Sequence, residues 1–520
     1  MPKQPSKSRR TAAAGAAPPD PPWRAIKHVF VLMLENRSFD HMFGLSGLSG
    51  IDAATGAQSN PWPNPGPAGG TIAFHAGAAD PMPSDPRHEF TDVVEQLCGK
   101  GATYPSGGGS YPPIHNSGFA TNYATTFPAN PAPTNAQVRP IMAGIDTRTA
   151  TPALWTLARE FVVCDRWFSS LPGPTFPNRF FVHGASSAGL EHSPSTFDLA
   201  KWEGFAGFRY PHGSVFDKLG ASKWRLYQDE SGPIEGRIPQ VAAIKGVQFN
   251  DVHDLSSFAT DLAGGYPWPY TFIEPAYGAM VTGHYHNGTS QHPMDTLAGG
   301  DRLIARVYNA LRASPLWEDS LLIVTYDEHG GFYDHVAPDA VVPPGDGAGL
   351  DHNRSGFDFA RLGVRVPAVL VSPRLLRGGV DHAMHDHSSV IATLGKLNGF
   401  APLTQRDAQA HSVLELVLRT VRPDCPMTIP SVPAAPPSLA AMATHDAKPV
   451  EEDGNLQGFL YVVRKAQAES ADPAQHAMRA AALPVEAASW FHVPRTQGAA
   501  RAYINAALPG LLAERAARHG

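Results

Sequence analysis

The feature that most restricts this chain is a set of short, unbroken apolar runs. They lie at 28–34 (HVFVLML), 321–326 (LLIVTY) and 366–372 (VPAVLVS), with a weaker one at 270–274. Each has the length of one strand and lacks the alternation of a strand with one wet face. That pattern predicts strands buried on both sides, as in a parallel sheet. Helical periodicity falls between them. Residues 301–316 open on Asp301 as a capping residue, carry Leu303, Ile304, Val307 and Leu311 on one face, and meet Pro315 at the end. Helices are also predicted at 151–161 and 387–397. Strands alternating with helices of this length imply an α/β fold with helices covering both faces of the sheet.

At 520 residues the chain can bury a large core, and 42% hydrophobic with 17% charged residues suits a globular protein. The 49 glycines and 50 prolines predict long loops without wholesale disorder. A formal charge of −6 argues against a nucleic-acid partner, which would call for a basic patch. Cys98, Cys164 and Cys425 are widely spaced and odd in number, so no disulfide framework or thiolate metal site is readable; they are expected as small buried hydrophobes.

Residues 1–22 contain Arg9 and Arg10 but lack the apolar core of roughly 7–15 residues that a secretory signal needs, and are expected to form a disordered tail. The compartment is left open between cytoplasm and export by a non-classical route. No stretch approaches the ~18 apolar residues of a membrane span, so a lipid substrate would be met from the side, by peripheral contact. A catalytic domain is expected over 23–425, a Pro/Ala-rich linker over 426–455 and a helical region over 456–520, without signs of catalytic chemistry in the last. Within the domain, residues 45–140 are rich in Gly, Pro, Asn and Ser. So long an excursion is expected to cross the sheet's C-terminal edge and help form a pocket rim.

Four polar clusters follow or flank the expected strands, where open α/β sheets place their sites. Glu35 and Asn36 close the first run and offer hard oxygen ligands for Mg2+ or Ca2+; a polar turn would use the same residues. Residues 171–179 (LPGPTFPNR) form a stiff loop that presents Thr175, with Asn178 and Arg179 beyond it. A cation can lower a hydroxyl's pKa and an Arg fork suits phosphate oxygens, but a rigid structural turn has the same composition. Asp327 and Glu328 adjoin at the end of another run, where two carboxylates repel unless a cation or protons relieve them; a solvated acidic turn is the alternative. Histidines at 88, 292, 385 and 387 could bind phosphate or protonate a leaving alkoxide, or simply be structural. No familiar zinc spacing occurs.

Together these segments resemble a known family. ENRSFDHMFG (35–44), GPTFPNRFF (173–181), DEHGGFYDHV (327–336), GVRVPAVLVSPR (363–374) and HSSVIATLGKL (387–397) occur in order. They look like the signature blocks of the phosphatidylcholine-type phospholipase C family, which joins bacterial phospholipases C, plant non-specific phospholipases C and an acid phosphatase branch. The resemblance runs over roughly residues 25–400.

It implies a three-layer α/β/α sandwich of the alkaline-phosphatase-like type, with a C-terminal helical extension, and one divalent metal, Ca2+ or Mg2+ being favoured. Glu35, Asn36, Asp327 and Glu328 match the family's metal ligands. Thr175 falls on the nucleophile, which also touches the metal. His88, Asn178, Arg179 and His292 are expected to bind substrate phosphate, with His292 also protonating the leaving group. Many relatives carry an Asn-Asp pair just ahead of this last histidine; here Thr289, Ser290 and Gln291 stand there, so no adjacent carboxylate orients it. Thr175 also occupies the nucleophile position of a sulfatase-like pattern, but Thr cannot become formylglycine, which disfavours sulfate esters. The implied activity is hydrolysis of glycerophospholipids to diacylglycerol and a phosphorylated headgroup. The alternative is an acid phosphatase acting on soluble phosphomonoesters.

Overall fold

The computed structural model describes residues 20–62, 70–105, 107–346, 352–434, 446–452, 454–470 and 494–519. Nearly all of the expected N-terminal tail and the centre of the expected linker lie outside them.

One sheet holds β1 (His28–Leu34), β2 (Val162–Cys164), β3 (Trp224–Gln228), β4 (Val252–Asp254), β5 (Tyr270–Glu274), β6 (Ser320–Tyr326), β7 (Ala368–Val371) and β8 (Gly379–Asp381), of which β1, β5, β6 and β7 are the four expected apolar runs. Their order is β8-β2-β7-β6-β1-β5-β3-β4. β1 and β6 run parallel in register from His28 opposite Ser320 to Leu34 opposite Tyr326, and both are buried at all seven positions. Strands buried on both faces need cover on both faces, and helices supply it. The result is a three-layer α/β/α sandwich.

One strand departs from the expectation of a parallel sheet. β7 pairs antiparallel with both β6 and β2. Its four residues are all buried, and a run with two dry faces reads the same in either direction.

The helices that matter here are α1 (Phe90–Cys98), α2 (Pro152–Glu160), α3 (Thr175–Gly184), α4 (Ala298–Ala313), α5 (Ser388–Asn398), α6 (Asn455–Glu469) and α7 (Gln497–His519). α2 packs with α4; α3 packs with α5 and α6. α4 buries the expected face, Leu303, Ile304, Val307 and Leu311. Asp301, however, does not cap its own helix, which starts earlier, after Leu297. Its carboxylate accepts the backbone N–H groups of Ala153 and Leu154 and so caps α2 instead. Among the described residues no helix is long and apolar enough to cross a membrane.

Three of the sequence motifs meet in a buried clamp that fixes the loops above the sheet. Arg365 is fully buried. It donates to both oxygens of Asp334 (2.8 and 3.3 Å), to Asp40 (3.3 Å) and to the carbonyls of Asp52 and Asp165 (both 2.8 Å). Asp40 in turn accepts the backbone and the ring of His335, each at 2.7 Å. One guanidinium thus ties the loop after β1 to the loop after β6. Arg365→Met should destabilise the protein by about 3–5 kcal/mol in reversible denaturation, because Asp334 and Asp40 would remain buried without their cation.

Candidate active site

β1, β6 and β5 are adjacent and parallel, so their C-terminal ends deliver Glu35, Asp327 and Glu274 to one place. The chain turns sharply after β1: Asn36 has φ 59°, a left-handed conformation that Asn tolerates better than most residues. Its backbone N–H donates to Asp327 Oδ1 at 3.0 Å. Gly330 lets the loop after β6 approach this turn, because a Cβ there would lie 2.2 Å from the Asn36 carbonyl oxygen, and Gly331 does the same for the backbone at Arg87. His387, from the fourth cluster, braces the same spot by donating from Nε2 to the Asp327 carbonyl at 2.6 Å.

Thr175 is the first residue of α3, where the helix's unpaired N–H groups favour negative charge. Its hydroxyl is fully buried and lies 3.2 Å from Asn36 Nδ2. The loop expectation for Thr175 therefore becomes a helix start, and two expected phosphate ligands turn out to be occupied. Asn178 spends its amide on the nucleophile loop, accepting from Leu171 N–H and donating to the carbonyls of Leu171, Gly173 and Pro174. Arg179 donates from Nε to Asp327 Oδ2 at 2.9 Å and from Nη2 to the carbonyls of Met33 and Leu34; its Nη1 stands 3.6 Å from Glu274. This guanidinium holds Asp327, while its Nη1 makes no hydrogen bond.

The electrostatics call for a further positive charge. Glu35, Glu274, Asp327 and Glu328 are all buried, with Arg179 as the guanidinium among them. Burial raises Glu35 to about 8, with Arg179 pulling down and Asp327 and Glu328 pushing up. Burial likewise raises Glu274 to about 7 and Asp327 to about 6. Four buried oxygens in this group have no hydrogen-bond partner: Glu35 Oε2, Asn36 Oδ1, Glu274 Oε2 and Glu328 Oε1. Orphaned hard oxygens beside an excess of carboxylate suit a divalent cation, so the expected donor set fits one. The carboxylates of Glu35, Asp327 and Glu328 do not all stand within 4.8 Å of one another; two other groups of potential ligands among the described residues do, Cys164 with Asp381 and His385, and Asp40 with Asp334 and His335.

The excursion of residues 45–140 supplies one wall of a cavity of about 620 Å3 beside this group. Asp85, His88 and Glu89 line it together with Tyr285 and His292. His88 Nε2 is 3.8 Å from Glu328 Oε1, and the two histidine rings are 6.5 Å apart. Burial disfavours charge on His88, but Glu328 and Asp85 outweigh it and raise the ring to about 9. His292 is held well below the usual range by burial, then by His88 and Arg37. It stacks on Tyr285 at 3.5 Å, and its Nδ1 accepts Met294 N–H, leaving the proton on Nε2. The acid expected at His292 is thus a neutral N–H donor, and the charged ring is His88. The carboxylate sought just ahead of His292 has no hydrogen-bonded replacement among the described residues; Asp85 Oδ1 stands 4.0 Å from its Nε2, beyond hydrogen-bond range.

The end of the expected linker (426–455) and the start of the expected helical region (456–520) close this site. Asn455, the first residue of α6, lines the cavity and points Nδ2 at Thr175 Oγ1 from 3.4 Å. Behind it Phe459 packs against Phe176 and Tyr277, and a Cβ on Gly458 would strike the Phe176 ring. Lys448 and Glu451 complete the wall. A spacing rule could not have found Asn455, which lies 280 residues from its partner.

Comparison with known proteins shows what the chain resembles. The chain is 37% identical over 456 residues to non-specific phospholipase C6 of Arabidopsis thaliana, covering 84% of this chain and 80% of that protein. It is 34% identical over 471 residues to non-specific phospholipase C3 of the same plant, covering 86% and 82%. Phospholipase C B of Mycobacterium tuberculosis (strain H37Rv) is 29% identical over 422 residues, covering 73% and 74%. Among solved structures, an alkaline phosphatase superfamily protein from Vibrio parahaemolyticus overlaps 50% of this chain and 64% of its own at 13% identity and a TM-score of 0.30, too partial an overlap to bear on the site. A model described as the Phosphoesterase family matches residues 26–400, a span that includes Glu35, Asn36, Thr175, Asp327 and Glu328, and by that match the chain belongs to the phosphoesterase family.

Proposed function

We propose that this protein is a phospholipase C that cleaves glycerophospholipids to diacylglycerol and a phosphorylated headgroup, with Thr175 as nucleophile. The observation that carries the reading is the set of unpartnered buried oxygens of Glu35, Asn36 and Glu328 beside a hydroxyl at a helix N-terminus. Glu35, Asn36, Asp327, Glu328 and Thr175 would hold one divalent cation, Ca2+ or Mg2+ by their oxygen chemistry. Such an ion, when bound, offsets charge on a phosphate oxygen and favours the ionised hydroxyl.

The chain's own groups do the rest. Two amide donors, from Asn36 and Asn455, converge on Thr175 Oγ1 and favour its charged form. The Oγ–phosphorus bond forms as the bond from phosphorus to the diacylglycerol oxygen breaks. The leaving alkoxide takes its proton from the side of the cavity held by His88 and His292. Water then attacks phosphorus, releasing the phosphorylated headgroup and restoring the Thr175 hydroxyl. Arg179 holds Asp327 in place throughout. Asn455→Ala should lower kcat by about tenfold with little change in KM, as expected for loss of one long donor to the reacting oxygen; steady-state kinetics on the full chain measures it.

A second reading has its own support. Charged side chains of Asp85, Glu89, Lys448 and Glu451 line the cavity along with apolar Met280, Val281, Met294, Val450 and Leu456. A polar mouth suits soluble phosphomonoesters, and an amphipathic one a lipid at a membrane surface. Hydrolysis of phosphatidylcholine vesicles against para-nitrophenyl phosphate separates the two. Release of diacylglycerol and phosphocholine supports the lipase; turnover of the monoester alone excludes it.

A further inference from the structure

We propose a second metal site, at the β8 edge of the sheet, in which Cys164, Asp381 and His385 bind a zinc-type cation. It does not depend on the reading of the catalytic site. Cys164 Sγ, a carboxylate oxygen of Asp381 and a ring nitrogen of His385 all lie within 4.8 Å of one another. Tetrahedral zinc holds S, N and O ligands about 2.0–2.3 Å from the ion, hence roughly 3.5 Å apart, so closure needs side-chain movements of about 1 Å. A thiol beside an imidazole and a single carboxylate selects a borderline-soft ion and disfavours Ca2+ or Mg2+.

The backbone holds the three ligands rigidly. Cys164 ends β2 and Asp381 ends its neighbour, the edge strand β8, and the two are direct register partners. His385 lies one short turn later, its N–H donating to the Arg166 carbonyl while its own carbonyl accepts Phe168 N–H, both at 2.9 Å. Its ring stacks on Trp167 at 5.3 Å. Nε2 faces Asp381 Oδ2 at 2.7 Å, and Nδ1 faces Ser389 Oγ at 3.1 Å. That is the outer support a metal-bound imidazole uses: one nitrogen for the ion and the other held by a hydrogen-bond acceptor. Cys164 and His385 are buried, and His385 and Ser389 border a cleft of about 250 Å3.

The rival group, Asp40 with Asp334 and His335, fails the same test. Arg365 already sits between its carboxylates, so the positive charge there is the protein's own. No Lys or Arg ion pair reaches Cys164, Asp381 or His385 among the described residues. Binding at the new site displaces the thiol proton to solvent, and the ion would tie the edge strand β8 to β2.

The test uses full-length protein carrying Glu35→Gln, stripped with chelator and titrated with Co2+. A thiolate-to-cobalt charge-transfer band in the near ultraviolet should appear at one equivalent, and Zn2+ should displace it. The band should vanish in Cys164→Ser and weaken at least about tenfold in affinity in Ser389→Ala. Zn2+ should also raise Tm in the Glu35→Gln background and not in its His385→Ala derivative. No band with the parent protein, or a band that survives Cys164→Ser and so belongs to Cys98 or Cys425, overturns the proposal. If Cys164→Ser does not fold, Asp381→Asn decides: an undiminished cobalt affinity in that variant is equally fatal.

Discussion

Thr175→Ala is expected to lower kcat on phosphatidylcholine vesicles by at least ~10^4-fold, because removing a nucleophile leaves only binding and electrostatic stabilisation. The folded state should survive. The change deletes a hydroxyl and a methyl at the start of α3 but keeps the brace built by Asn178 around Leu171, Gly173 and Pro174. Its cost is the loss of an acceptor for the Asn36 and Asn455 amides, about 1–3 kcal/mol for buried donors left unpaired, or a few degrees in Tm for a chain of this size. Thr175→Ser should retain easily measured turnover, since the hydroxyl keeps both donors. The comparison separates chemistry from folding. An alanine variant with more than a few per cent of parent activity, at unchanged Tm, would remove Thr175 from the reaction.

How much of this was readable beforehand follows physical lines. Glu35, Asn36, Asp327 and Glu328 could be picked out because apolar runs mark buried strands and parallel sheets gather their C-terminal ends. The same runs did not reveal that β7 is antiparallel, since burial on both faces carries no direction. Residues whose role depends on distant partners were hidden or misread. Asp85 comes to within 4.0 Å of His292 from the excursion, and Asn455 reaches Thr175 from the last position of the segment read as a Pro/Ala-rich linker. Asn178 and Arg179 look like phosphate ligands in isolation, because an amide and a guanidinium suit phosphate chemically. Only the fold shows that carbonyls and Asp327 already occupy them. The conspicuous acidic and basic residues of three motifs, Asp40, Asp334 and Arg365, likewise form a clamp that holds the loops and makes no contact with the cavity.

Chelation should abolish turnover by ~10^3-fold or more and also lower Tm, and the second effect should grow with pH. The first follows from the several kcal/mol, at ~1.4 kcal/mol per decade, that a cation contributes at a developing phosphate charge. The second follows from linkage. Without the cation, the folded-state pKa of Glu35 is raised from 4.5 to about 8, chiefly by burial, so between those values the native state binds more protons than the unfolded chain. Stability of the stripped protein therefore falls as pH rises from about 4.5 to about 8. With the cation bound the carboxylate stays ionised, and that loss disappears. A ligand at 100 times its Kd adds about 2.7 kcal/mol to the folded state, so the gap in Tm between loaded and stripped protein should be smallest near pH 5 and largest near pH 8. Glu35→Gln removes both the charge and the titration. With His385→Ala added, so that only the site at Glu35 is in question, its Tm should respond little to chelator at either pH, and the turnover of Glu35→Gln should fall as far as that of the stripped parent. Full activity after exhaustive chelation, or a Tm gap that narrows as pH rises, would mean that the orphaned oxygens of Glu35, Asn36 and Glu328 await something other than a cation.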